Sequence, residues 1–123
     1  MHPRGDEYGY FQGDGKRLKD AFMNIGPGIV RDALAATETT FADYDRILIQ
    51  QVSIPALLTL LDMTDAPRHK VVVTVNRLGN MAAASMPVGY VLAEEHRPLR
   101  AGARVMWIGL AAGVSLAVTL MQM

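Results

Sequence analysis

The side chains able to do chemistry in these 123 residues are few, and their types narrow what that chemistry is. Asn80 follows Gly79, Gln50 and Gln51 stand together after the apolar run Ile47 to Ile49, and there is no cysteine. Carboxamides donate and accept hydrogen bonds but do not exchange protons near neutral pH. The lack of cysteine removes every cysteine-nucleophile mechanism from this chain acting alone. His2, His69 and His96 fall in polar loop or helix-end contexts with no partner at i, i+4, so they read as solvated side chains and no metal site is expected. By residue type alone, Asn80 is a turn or cap residue, and the two glutamines are strand-end residues bonded to solvent or to loops.

Charge excludes another class of function. Twelve Lys and Arg balance twelve Asp and Glu, whereas phosphate neutralisation needs an excess of cations gathered on one face, so nucleic acid is not an expected partner. Lys16, Lys19, Asp20, Arg31 and Asp32 read as the solvated side of a helix, and the methionines, spread through apolar runs, as core filling. The N-terminus is polar and Gly-rich and lacks the apolar core of a secretory signal, so a cytoplasmic protein is expected.

The elements that must position these residues follow from periodicity. A helix opens near Lys16 with Asp14 as its cap, and Leu18, Phe22, Ile25, Ile29, Ala33 and Ala36 form its inward stripe, with Gly26, Pro27 and Gly28 kinking its middle. Ile47 to Ile49 reads as a strand covered on both faces, followed by a helix from Pro55 to about Asp62. Val71 to Thr74 is a second β-branched strand, turned by Gly79 and Asn80 into a helix from Met81 to about Glu95 that is rich in small residues. The uncharged stretch Val105 to Met121 is almost long enough to span a bilayer. Its glycines, Gly109 and Gly113, bracket a turn at LAAG, so two buried strands in a hairpin fit better than a membrane helix. Helices alternating with strands imply an α/β fold with a mixed, mostly parallel sheet and packed helices, preceded by an N-terminal arm over 1–15 with a short strand at Tyr8 to Phe11.

Three stretches carry a family resemblance. VVVTVNRLGNMAAAS, from Val71 to Ser85, is similar to the strand, glycine-asparagine turn and small-residue helix of the β-ketoacyl-acyl-carrier-protein synthase III condensing enzymes. YFQGDGKRL, from Tyr10 to Leu18, resembles the segment before the first helix of that family's C-terminal half. RAGARVMWIGLAAGVSLAVTL, from Arg100 to Leu120, resembles its closing loop and glycine-turn hairpin. The resemblance implies the C-terminal half of a thiolase-like fold over 16–123, in enzymes about twice as long whose first half carries the cysteine nucleophile.

What the resemblance implies for the site is residue-specific. In the family, a cysteine takes an acyl group from a thioester, and a His and an Asn donate hydrogen bonds to the malonyl carbonyl as carbon dioxide leaves. The asparagine matches Asn80. The family's His-Gln-Ala-Asn stretch falls on Gln50, Gln51, Val52 and Ser53, so Gln50 stands at the histidine's place, and the basic residue that follows is Pro55 here. The oxyanion-hole amide falls at Ala112, with Gly79, Gly113 and Gln51 as substrate-binding positions. No bound cofactor is implied; the substrate is a coenzyme A or acyl-carrier-protein thioester, and the partner a cysteine-bearing synthase half or homologous subunit. Two functions are consistent with these residues: an acyltransferase half that works when such a partner completes the site, or a non-catalytic structural or regulatory subunit derived from such an enzyme.

Overall fold

The computed structural model describes residues 13–123. The predicted strand at Tyr8 to Phe11 lies outside them. The first helix, α1 (Gly15–Ala36), is capped as expected: the Asp14 carboxylate accepts from the Arg17 N–H at 3.0 Å. It runs through Pro27, and its buried face is Phe22, Gly26, Pro27 and Val30. That corrects the predicted stripe, since Ile25 is 42% exposed and Ala36 is exposed, while Leu18, Ile29 and Ala33 are half-buried. The reason is steric: Gly26 lets the side chain of Leu60 approach to 3.3 Å of where a Cβ would stand, so the glycine–proline pair faces inward and Ile25, about 100° around the helix, faces out.

β1 (Arg46–Ile49) is buried at all four residues. α2 (Ile54–Thr64) begins with the Ser53 hydroxyl accepting from the Ala56 N–H at 3.3 Å and with Pro55 in its first turn, and it ends where Asp65 adopts φ 55°. β2 is only Val71–Val72, shorter than the predicted Val71 to Thr74, and Val73 is 42% exposed. A short helix, α3 (Val75–Leu78), which the sequence reading lacks, follows and stops at Gly79 with φ 70°. The helix expected from Met81 divides into a 3-10 turn at Ala82–Ala84 and α4 (Ser85–His96), with Pro87 in its first turn. β3 (Arg104–Ala111) and β4 (Ser115–Gln122) form the predicted hairpin, with its turn at 112–114 rather than at LAAG. No helix among the described residues is long and apolar enough to cross a membrane.

The sheet order is β2-β1-β3-β4, with β1 parallel to both neighbours and only β4 antiparallel, to β3. Side chains alternate between faces. Ile47, Ile49, Met106 and Ile108 join Val30, Leu57 and Leu60 of α1 and α2 in one core. On the other face, Gly89 of α4 lies against Leu48 and Val72, Tyr90 stacks on Trp107 at 5.5 Å, and Arg46 pairs with Glu94. The result is three layers, helix–sheet–helix. β4 departs from the expectation of two buried strands: Leu116, Val118 and Leu120 are half-buried, but the alternate residues are exposed because, among the described elements, α1 packs on β4 whereas α4 packs over β1 and β2.

Candidate active site at the carboxyl ends of the parallel strands

Because β1, β2 and β3 run in one direction, the residues that follow them emerge at one edge of the sheet, where open α/β folds bind ligands. Gln50 and Gln51 follow β1, the segment to Asn80 follows β2, and the hairpin tip follows β3.

Gln50 stays in the ladder through its own N–H, which donates to the Ile108 carbonyl at 2.9 Å, and its side chain leaves the sheet. Its Nε2 donates to the Ala82 carbonyl at 2.7 Å. Asn80 reaches the same residue from the other side: its Oδ1 accepts from the Ala82 N–H at 2.9 Å. Ala82 has φ 50°, a left-handed conformation uncommon for a residue with a Cβ, and these two carboxamides hold it there. A carboxamide nitrogen carries two N–H groups, so among the described residues Gln50 has one N–H and Asn80 both without a partner. The Ser85 hydroxyl, 1% exposed, accepts from the Met81 N–H at 3.1 Å and fixes the other end of this turn.

Gln51 has a different place. It is 2% exposed, and both ends of its amide are bonded to backbone. Nε2 donates to the carbonyls of Ile49 at 2.7 Å and Val72 at 3.2 Å, while Oε1 accepts from the N–H groups of Thr74 at 3.0 Å and Val75 at 3.1 Å. One side chain therefore ends β2 and starts α3. Gly79 and Gly113 are exposed, with φ 70° and 118°, and a Cβ at either would meet nothing within 4 Å, so backbone conformation and not space calls for glycine there. Ala112 sits at the exposed hairpin tip, two residues beyond Leu110.

Beside Gln50 opens a cavity of about 260 Å³ whose walls include Leu18, Phe22, Leu57, Leu60 and Leu110. Apolar walls with one carboxamide at the rim suit an aliphatic chain ending in a carbonyl. A larger groove, about 580 Å³, lies between β2 and α4 and takes in Asp45 and Arg97 at the opposite end of β1. It holds neither Gln50 nor Asn80. Ala82, the residue on which the pair converges, has no sequence signal, since its part is played by its backbone.

The model of the 3-oxoacyl-[acyl-carrier-protein (ACP)] synthase III C-terminal domain matches residues 34–123. The β-ketoacyl-[acyl-carrier-protein] synthase III of Neorickettsia sennetsu is 26% identical over 109 residues, which cover 89% of this chain and 35% of that protein. That of Granulibacter bethesdensis is 32% identical over 94 residues, 76% of this chain and 29% of the relative. A 3-oxopimeloyl-[acyl-carrier-protein] synthase of Brucella abortus is 28% identical over 109 residues, 89% of this chain and 33% of its own. The crystal structure of 3-oxoacyl-(acyl carrier protein) synthase III, FabH, from Pseudomonas aeruginosa matches with a TM-score of 0.84, at 24% identity, over 99% of this chain and 38% of its own. The Aquifex aeolicus enzyme gives 0.86 at 19% identity, over 96% of this chain and 38% of its own. The fold is thus thiolase-like, and the chain spans about a third of the length of the curated relatives it matches. With its sheet, its helices and residues 34–123 all matching, this chain belongs to the 3-oxoacyl-[acyl-carrier-protein] synthase III family, of which it carries the C-terminal domain.

Proposed function

We propose that this chain contributes one half of a thioester acyl-transfer site, the other half bringing the cysteine that these 123 residues lack. The observation that carries the reading is the convergence of Gln50 and Asn80 on Ala82 beside an apolar cavity, at the sheet edge where such sites form. In the complete site, the partner's cysteine thiolate attacks an acyl thioester, the thiol of coenzyme A or acyl carrier protein leaves, and an acyl-cysteine forms. A malonyl thioester then loses carbon dioxide, and the resulting carbanion attacks the acyl carbon and expels the thiolate. The N–H groups of Gln50 and Asn80 donate to the malonyl carbonyl oxygen as negative charge builds there, and the Ala112 amide serves the acyl oxyanion. Gln51, Gly79 and Gly113 hold the loops that frame the substrate. The cavity beside Gln50 takes the chain of the thioester.

Gln50 in the place of an ionisable imidazole favours a second reading, a structural or regulatory subunit that pairs with an active homologue in the cytoplasm. Turnover in the complex with a cysteine-bearing synthase half separates the two. Asn80→Ala should lower it at least about tenfold, the scale for one lost oxyanion donor. Unchanged turnover removes Asn80 from the chemistry and leaves the subunit reading.

A further inference from the structure

The groove of about 580 Å³ between β2 and α4 falls within the size range of small-molecule sites, and its two walls change character together. Along α4, Val88, Leu92 and His96 stand four residues apart and form one row down the groove. On the facing wall the chain reads His69, Lys70, Val71, Val72, Val73. Gly89 lies against Val72 and Thr74, and Arg97 donates to the Asp45 carbonyl at 3.3 Å, so α4 runs back along β2 in the opposite sense. Val88 is therefore level with Val73, and His96 with Lys70. Both walls are apolar at one end and basic at the other. At the apolar end Val73 and Leu78 are 42% and 45% exposed, which leaves apolar surface for an occupant to cover. Arg77, beside them, is exposed, and its charged head reaches water.

The basic end suits an anion. Lys70 gives two of its three N–H groups to the carbonyls of Phe41 and Ala42, at 3.0 and 3.2 Å, and its charge meets no carboxylate among the described residues. Asp45 is the one carboxylate among the described lining residues, and its Oδ2 accepts from the Arg104 N–H at 2.9 Å. The carbonyls at the end of α4, where the helix dipole is negative, are met by Arg46, which donates to Ala93 and Arg97 and pairs with Glu94.

We propose that this groove binds an aliphatic carboxylate, its chain along Val72, Val73, Val88 and Leu92 and its head among Lys70, His96 and Arg97. From Val88 to His96 the helix rises about 12 Å. An extended chain advances roughly 1.2 Å per bond, so about ten carbons fill that length. Neither Gln50 nor Asn80 lines the groove. The binding needs no thioester and no cysteine-bearing partner, so it stands or falls separately from the proposed acyl transfer.

Titration calorimetry of the full chain with sodium decanoate should give a dissociation constant of about 1 mM or tighter, the range for a ligand of this size. Decanol, with the same chain and no charge, should bind at least about tenfold more weakly. Backbone amide shifts should place decanoate at Val71, Val72, Leu92 and His96. Arg97→Glu, at an exposed position, should weaken decanoate at least about tenfold and leave decanol unchanged. Val73→Glu, also exposed, should weaken both. Equal affinities for decanoate and decanol overturn the proposal, as does the absence of heat and of amide shifts up to about 10 mM decanoate, tenfold above that constant. So does a shift confined to Leu18, Gln50 and Leu110, which assigns the ligand to the cavity beside Gln50. The shift map is read on the unsubstituted chain, so it decides the matter even where a variant fails to fold.

Discussion

Gln50 and Asn80 are bonded to the two ends of one residue: the Gln50 carboxamide donates to the Ala82 carbonyl at 2.7 Å and the Asn80 carboxamide accepts from the Ala82 N–H at 2.9 Å. A strand end and the turn that precedes α4 are thereby held at a fixed separation. Neither side chain titrates, so the pair can polarise a carbonyl but cannot exchange a proton with it.

Gln50→His tests what that restriction removes. An imidazole at this position supplies a donor that can also become cationic. In the complex with a cysteine-bearing synthase half, the variant should gain release of carbon dioxide from malonyl thioester over the unsubstituted chain. Because Gln50 is half-buried and makes one side-chain bond, the fold should lose no more than about 1.5 kcal/mol, the scale of one hydrogen bond. Folding intact with no gain in carbon dioxide release would show that the site lacks more than the histidine, and would turn the reading toward the structural subunit.

Gln51→Leu should be far more damaging than any change at its neighbour. The substitution keeps the size of the buried side chain but strands the N–H groups of Thr74 and Val75 and the carbonyls of Ile49 and Val72. Each buried group left unsatisfied costs about 1–3 kcal/mol, so a total loss of about 3 kcal/mol or more is expected in urea unfolding. Faster exchange at the Thr74 and Val75 amides should accompany it. A loss under about 1 kcal/mol would mean that water replaces the carboxamide.

On the opposite face, Arg46 fixes α4 to the sheet. Its side chain is 4% exposed, pairs with Glu94, donates to the carbonyls of Ala93 and Arg97, and lies 5.9 Å from the centre of the Tyr90 ring. Glu94 also accepts from the Leu99 N–H at 3.3 Å. Glu94→Ala leaves a buried guanidinium with only carbonyl partners, and breaking such a pair costs about 3–5 kcal/mol. Arg46→Met in the same chain should recover part of that loss, because the unpaired charge is then gone. If the double variant is no more stable than Glu94→Ala, packing around the arginine and not its charge holds α4.

What the sequence displays and what it conceals divide along physical lines. Ile47 to Ile49, the Asp14 cap and the apolar hairpin are visible because burial on both faces, capping and turn chemistry are local. Val71 to Thr74 reads as one strand from its β-branched residues, yet the carboxamide of Gln51, from another segment, captures the Thr74 and Val75 amides and ends it after two residues. Gly26 and Pro27 read as a kink because propensity describes an isolated helix. Leu60, packed against Gly26, turns them into the inward face. The Gln50 to Ala82 bond joins residues 32 apart through a backbone carbonyl, which no residue type reports. Only the family resemblance marks Asn80 as a candidate site residue, since an asparagine after glycine is ordinarily a turn.

Gly89 offers a prediction in the stabilising direction. It lies inside α4, where glycine costs about 1 kcal/mol relative to alanine because it surrenders more backbone freedom on folding. A Cβ there would stand 3.5 Å from Val72 Cγ1, 3.6 Å from Leu48 Cδ2 and 3.8 Å from Thr74 Cγ2, all ordinary van der Waals distances. Gly89→Ala should therefore keep the propensity gain and add contact, raising stability by about 0.5–1 kcal/mol, or a few degrees in thermal unfolding. Gly26→Ala is the matched control. It gains the same helix propensity, but its Cβ would come 3.3 Å from Leu60 Cδ1, close enough that Leu60 must give way, and its net effect should be near zero or unfavourable. Should Gly89→Ala instead lower the melting temperature, α4 must lie closer to β1 and β2 than these distances allow.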